Sequence, residues 1–209
     1  RIHYYAEKQK SLFVHSIDKQ TTQQIMLRNA EDLPNEFQTV QAQNKIFFSG
    51  GWRKETEIKF NYTPDVFVVD EIECEVKAQA PMNHPRCGHA LVHLNRKFEY
   101  LTKDYVYAIG SKAADAASTK CEVYDVAKNE WTEVADLLQA RFHQTATVHD
   151  GRFIYVIGGR DSMTNAPLDS IERLDGFMDL ASQKWELLPL VNKESSWTAR
   201  DTLGSFSLN

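Results

Sequence analysis

One pattern is written twice in this chain of 209 residues, and that repetition constrains the fold more than any other property. One copy begins at Arg141, passes through Phe153-Ile154-Tyr155-Val156-Ile157 into Gly158-Gly159, and reaches Trp185 and Leu188. The other begins at Arg86, passes through Tyr105-Val106-Tyr107-Ala108-Ile109 into Gly110-Ser111, and reaches Trp131 and Val134. The arginines are 55 residues apart, the glycines 48 and the tryptophans 54. Short apolar segments recurring at such a period indicate an array of like β-units, each burying its faces against its neighbours. A weaker copy holds Phe47-Phe48-Ser49-Gly50-Gly51 and Val66-Phe67-Val68-Val69-Asp70, with Cys74 about where the tryptophan would fall. Arg200 opens another. Val14-His15-Ser16-Ile17-Asp18-Lys19 aligns without gaps to Val123-Tyr124-Asp125-Val126-Ala127-Lys128. The expected layout is one repeat region over 1–209: the second half of a unit at 1–27, units at 37–77, 86–138 and 141–190, and the start of a further unit at 198–209.

The copy at 141–190 predicts four strands. Gln144–Val148 is a small-residue strand, and His149-Asp150-Gly151-Arg152 supplies an Asp-Gly hairpin turn. Phe153–Ile157 is the second strand, ended by Gly158-Gly159, where the backbone needs positive φ or close approach. A polar loop runs from Arg160 to Pro167, Ser170–Leu174 is the third strand, and Lys184–Leu188 is the fourth. In the copy before it, Leu94–Thr102 reads as an inserted excursion within the first hairpin. A four-stranded antiparallel sheet cannot bury both faces alone, and radial stacking about an axis, the β-propeller arrangement, solves that. Small residues at Ala90, Ala146 and Thr147 suit the crowded hub, and Trp131 and Trp185 suit the wide outer wedge between blades.

Pro85-Arg86-Cys87-Gly88-His89-Ala90, Tyr107-Ala108-Ile109-Gly110, Glu122-Val123-Tyr124-Asp125 and Asn129-Glu130-Trp131 together resemble the kelch motif, as do Val156-Ile157-Gly158-Gly159, Ser170-Ile171-Glu172-Arg173 and Gln183-Lys184-Trp185. The resemblance covers about residues 12–209 and is strongest over 81–190. It implies an all-β, kelch-type β-propeller of four-stranded antiparallel blades. Rings of this family close with about six blades, so it also implies that these residues form part of a ring. Ser111 departs from the pattern by replacing the second glycine. A WD-type propeller fits less well, because neither Trp131 nor Trp185 is followed by Asp and the period is too long.

Bulk properties exclude several classes. Net charge is −5, with lysine and arginine scattered, which gives no basic patch for nucleic acid. No apolar run approaches the roughly 20 residues that span a bilayer, so no membrane insertion is expected. The first ten residues lack the apolar segment of a signal peptide. Three cysteines, at 74, 87 and 121, are too few for a disulfide framework, which points to a reducing, cytoplasmic setting.

The densest set of potential metal ligands is His84, Cys87, His89 and His93, of which the last three would share a strand face. The resemblance gives His89 a structural place, and the neighbouring copies carry Gln144 and Leu203 there, so no metal and no cofactor is expected. No glycine-rich phosphate loop, nucleophile elbow or HExxH occurs, and catalysis is not expected; an enzyme using the central channel is the competing class, and a structural subunit of a large assembly a third. Arg86, Arg141 and Arg200, with Gly50, Gly51, Gly110, Gly158, Gly159, Trp131 and Trp185, read as structural repeat positions. The arginines are expected to bond carbonyls or carboxylates between blades. The loops 52–64, 111–119 and 160–169 follow the same strand of each copy and so share one face of the disc. A rigid scaffold that presents variable loops suits binding. Trp52, Arg53, Arg160 and Met163 are the expected anchors, because aromatic and arginine side chains dominate interface energies. The resemblance implies a protein-interaction scaffold or adaptor, with ubiquitin-ligase or cytoskeletal components as partners.

Overall fold

A computed structural model describes residues 2–6, 10–70, 72–112 and 118–189, and shows three four-stranded sheets and one three-stranded sheet. Arg200 and the expected unit start at 198–209 lie outside the described residues, as does most of the 111–119 loop. The second sheet takes Gln38–Ala42, Lys45–Ser49, Val66–Asp70 and Val76–Ala78. The third takes Ala90–Phe98, Leu101–Ile109, Cys121–Asp125 and Glu130–Val134. The fourth takes Thr145–His149, Phe153–Ile157, Ile171–Asp175 and Trp185–Leu188. Every strand pairs antiparallel with its neighbour in sequence order within these sheets. The N-terminal sheet joins Ile2–Ala6, Ser11–Ser16 and Thr21–Met26, one strand more than a half-unit supplies. Among the described residues there is no α-helix; a 3-10 turn spans Leu180–Ser182.

Turn chemistry sets the registers. Asp150 and Gly151 have φ of 52° and 59°, and the Arg152 N–H donates to the His149 carbonyl at 3.1 Å, a primed turn whose twist matches the flanking strands. The stretch Leu94–Thr102 is no loose insertion. It extends both strands, so that Ala90–Phe98 and Leu101–Ile109 pair without interruption through Phe98 and Leu101. The segment after Gly159 is likewise not all loop: Arg160–Asp161 pairs with Arg141–Phe142.

The tryptophan position in the second sheet belongs to Val76, two residues beyond Cys74. Val76 pairs with Val69 as Trp131 pairs with Tyr124 and Trp185 with Leu174. Cys74 sits in the preceding turn at φ 53°, where its N–H donates to the Asp70 carbonyl, just as Asn129 at φ 57° donates to Asp125.

Strand alternation divides each sheet's side chains between two neighbours. Phe48 and Ile46 face the N-terminal sheet with Leu12, Val14 and Val76. Phe47 faces the third sheet with Val106, Ala108 and Tyr124, against which Trp131 packs. Tyr105, Tyr107 and Ile109 face the fourth sheet with Ile154, Val156 and Trp185. The tryptophans thus fill the wedge between sheets, and each indole N–H donates back across it, Trp131 to the Ala80 carbonyl at 2.9 Å and Trp185 to the Ala135 carbonyl at 3.0 Å. Trp185 is buried and Trp131 half-buried.

The inner ends are joined by the arginines. Arg86 and Arg141 are fully buried. Arg86 donates to the Glu122 carboxylate at 2.7 Å and to the Gly110 and Lys120 carbonyls. Arg141 repeats this with Glu172 at 2.7 Å and the Gly158 and Ser170 carbonyls. Each carboxylate also accepts from the incoming linker: Glu122 from the Asn83 and His84 N–H groups, Glu172 from those of Leu138 and Gln139. The arginine backbones face the previous sheet, since Gly51 N–H donates to the Arg86 carbonyl at 2.7 Å and Ser111 N–H to that of Arg141 at 3.2 Å. This requires glycine one residue earlier: a Cβ on Gly50 or Gly110, at φ 61° and 68°, would stand 2.5 or 2.6 Å from those carbonyl oxygens. The side-chain bonds therefore stay within the arginine's own blade rather than running between blades as expected, and it is the main-chain carbonyl that crosses the seam to the previous sheet.

Candidate interaction face

The loops that follow the second strands meet at one end of the molecule. In the second sheet that loop folds into a hairpin, with Trp52–Lys54 pairing Phe60–Tyr62. Trp52 lies opposite Tyr62 and Lys54 opposite Phe60, so Trp52, Phe60 and Tyr62 share one face of the ribbon, and the Trp52 and Phe60 rings meet edge to face at 4.7 Å. That face overlooks a cleft of about 250 Å³ completed by Glu36, Cys87 and Lys112. The cleft is shared by the second and third sheets. On its far side the Lys112 ammonium lies 5.9 Å from the Phe142 ring centre, and Ser162 Oγ donates to the Ser111 carbonyl, which ties the fourth sheet's loop to the third's.

The four expected anchors divide. Trp52 lines the cleft. Arg53 points to the hairpin's other face, where it forms an ion pair with Asp65 at 2.7 Å and donates to the Asp32 carbonyl. Arg160 is half-buried in the short strand opposite Phe142 and donates to the Asn165 carbonyl. Met163 is 76% exposed on a turn held by Asp161, whose carboxylate accepts from the Met163 and Thr164 N–H groups. Sequence reading missed Glu36, Phe60, Tyr62 and Lys112. The alternation in Phe60-Asn61-Tyr62 is the signal that a strand, rather than a loop, carries those rings.

The histidine and cysteine group is dispersed. His84 bonds Glu133, His93 bonds Asp104 at 2.7 Å, and His89 bonds Ser49 Oγ at 2.8 Å across the seam. Among the described residues no three His, Cys, Asp or Glu side chains are grouped to hold a metal ion. Burial, with the Arg86 charge beside it, pushes His89 down to about 3, so it is neutral at physiological pH. Burial pushes the Cys87 thiol up to about 11 and that of Cys121 up to about 12. All three cysteines are free thiols. No helix among the described residues is long and apolar enough to cross a membrane.

Residues 140–189 match the kelch motif. The chain belongs to the kelch-repeat family. An F-box/kelch-repeat protein of Arabidopsis thaliana is 36% identical over 107 residues, 47% of this chain and 27% of that protein. Kelch-like protein 40 of Mus musculus is 30% identical over 158 residues, 75% of this chain and 22% of that protein. The kelch chain thus spans about a quarter of the length of these relatives. The solved structure of YjhT superposes with a TM-score of 0.67 at 12% identity, over 91% of this chain and 62% of that one, which shows a shared fold. The four-stranded sheets are kelch-type propeller blades.

Proposed function

We propose that this kelch chain is a non-catalytic scaffold or adaptor that holds a protein or peptide partner on its loop face. The aromatic-lined cleft between the second and third blades carries the reading, because an open, ring-walled cavity on a rigid frame is the usual form of a recognition site. The state of three buried side chains is in keeping with a non-catalytic role. A general base poised for chemistry titrates near the working pH, whereas His89 is held neutral, and the buried thiols are pushed away from the nucleophilic thiolate. Free thiols support a cytoplasmic setting. Ubiquitin-ligase and cytoskeletal assemblies are the classes of partner proposed, in keeping with a relative named as an F-box/kelch-repeat protein.

The test is affinity capture with the wild-type chain beside Trp52→Ala and Arg160→Glu, together with metal analysis of the purified protein. A stoichiometric protein lost in the loop variants, with their thermal unfolding unchanged and no bound metal, is the expected result. Copper, iron or zinc at one per chain, with no captured protein, replaces this reading by a channel enzyme.

A further inference from the structure

The cleft's chemistry specifies its guest more narrowly, in an argument that rests on the scaffold reading. Three aromatic rings on one ribbon face, with a carboxylate at their side, form the surroundings that attract an organic cation, since ring quadrupoles and a negative charge act on it together. Glu36 supplies the charge. It is exposed, lies in no salt bridge among the described residues, and has as its side-chain neighbour the Cys87 thiol at 3.8 Å. Lys112 lines the same cleft but forms no salt bridge with Glu36 among the described residues; its ammonium lies 5.9 Å from the Phe142 ring centre.

The backbone at Glu36 has a left-handed φ of 52°. Register places Glu36 where the third blade has Gly88 and the fourth His143: Asn35 bridges Trp52 as Phe142 pairs with Arg160, and Trp52 and Arg160 each follow the second glycine. Gly88 takes this conformation without strain, whereas Glu36, like His143 at φ 52°, carries a side chain there, and that of Glu36 lies at the cleft. The volume, about 250 Å³, is below that of a typical small-molecule site. We propose that this cleft receives an arginine or lysine side chain of the partner polypeptide, held against Trp52, Phe60 and Tyr62 and beside the Glu36 carboxylate.

The experiment follows the Trp52 indole N–H by NMR while the chain is titrated with capped Gly-Arg-Gly, Gly-Lys-Gly, Gly-trimethyllysine-Gly and Gly-Glu-Gly peptides. Saturable shifts with the cationic peptides and none with the acidic one are expected. Glu36→Gln should weaken cation binding roughly three- to tenfold, and Lys112→Gln should tighten it about twofold by removing a like charge. Both positions are exposed, and unchanged thermal unfolding checks that the variants are folded. Binding of the glutamate peptide, loss of binding in Lys112→Gln with none in Glu36→Gln, or no saturable shift with any peptide overturns the proposal. The scaffold reading fails separately, when the wild-type chain captures no protein that Trp52→Ala and Arg160→Glu lose; a captured partner indifferent to Glu36→Gln sinks the cation pocket alone.

Discussion

The second and fourth blades share strand order and register but hold their inner ends by opposite chemistries. The fourth buries Arg141 against Glu172 and sends Gln144 Nε2 across the seam to the Ile109 carbonyl at 2.6 Å. At the matching positions the second blade has Pro34, Phe67 and Phe37. Phe67 pairs with Phe48 as Glu172 pairs with Val156, and Phe37 joins Tyr5 and Phe48 in an aromatic group with centroids 5.0–5.5 Å apart. The outer wedge follows suit, with Val76 in place of Trp185. Polar residues leave this site as a set, because a buried arginine without its carboxylate, or the carboxylate without its arginine, is far worse than neither. One blade geometry therefore has a charged solution and an apolar one.

Breaking the charged solution should give the largest effect. Glu172→Ala strands the Arg141 guanidinium and is expected to cost about 3–5 kcal/mol in chemical denaturation, while Arg141→Met with Glu172→Met costs less than that single change. A double variant as damaged as the single would mean that the two blades are not alternative answers to one packing problem. Next come the tryptophans. Trp185→Ala should cost about 3–5 kcal/mol and Trp131→Ala about 2–3, because Trp131 is only half-buried and leaves less of a cavity. Equal losses by differential scanning calorimetry would contradict the difference in burial.

A pH experiment sharpens the seam comparison. His89 titrates at about 3 when folded and near the ordinary histidine value when unfolded. The unfolded chain binds the extra proton, so this residue's contribution is complete above about pH 6.5 and is lost as pH falls toward 3. His89→Gln copies the fourth blade's Gln144 and should keep neutral-pH stability while removing that one-proton slope from denaturation curves between pH 6.5 and 3. An unchanged slope would assign acid sensitivity elsewhere, with Asp104 next in line. Burial raises Asp104, but hydrogen bonds from Asn95, Gln43 and His93 outweigh it and hold the carboxyl below its usual range, so its contribution also fades on acidification. The smallest effects belong to the loop face. Met163→Ala should change stability by less than about 0.5 kcal/mol, and Arg53→Ala, which breaks a partly exposed pair with Asp65, by less than about 1 kcal/mol in thermal melts.

Much of this was readable from residue order. The strand Phe153–Ile157, the Asp150-Gly151 turn and the place of Trp185 follow from apolar runs and glycine punctuation, which are local signals. The arginines' partners were only half readable: carbonyls and carboxylates were expected, but between blades rather than within one, and nothing marks Glu122 or Glu172 as buried. A glutamate inside a strand looks the same whether it faces water or an arginine 36 or 31 positions earlier. The loop hairpin was missed because polar Lys54–Lys59 hides two three-residue strands. Glu36 was missed because its importance lies in what the next blade brings beside it.

The amides of Gly51 and Ser111 end on the carbonyls of arginines that belong to the following blade. Neither proton can exchange with solvent until its neighbours part. Two backbone sites therefore act as built-in gauges, and their protection, compared one with the other, ranks which joint of the array opens first.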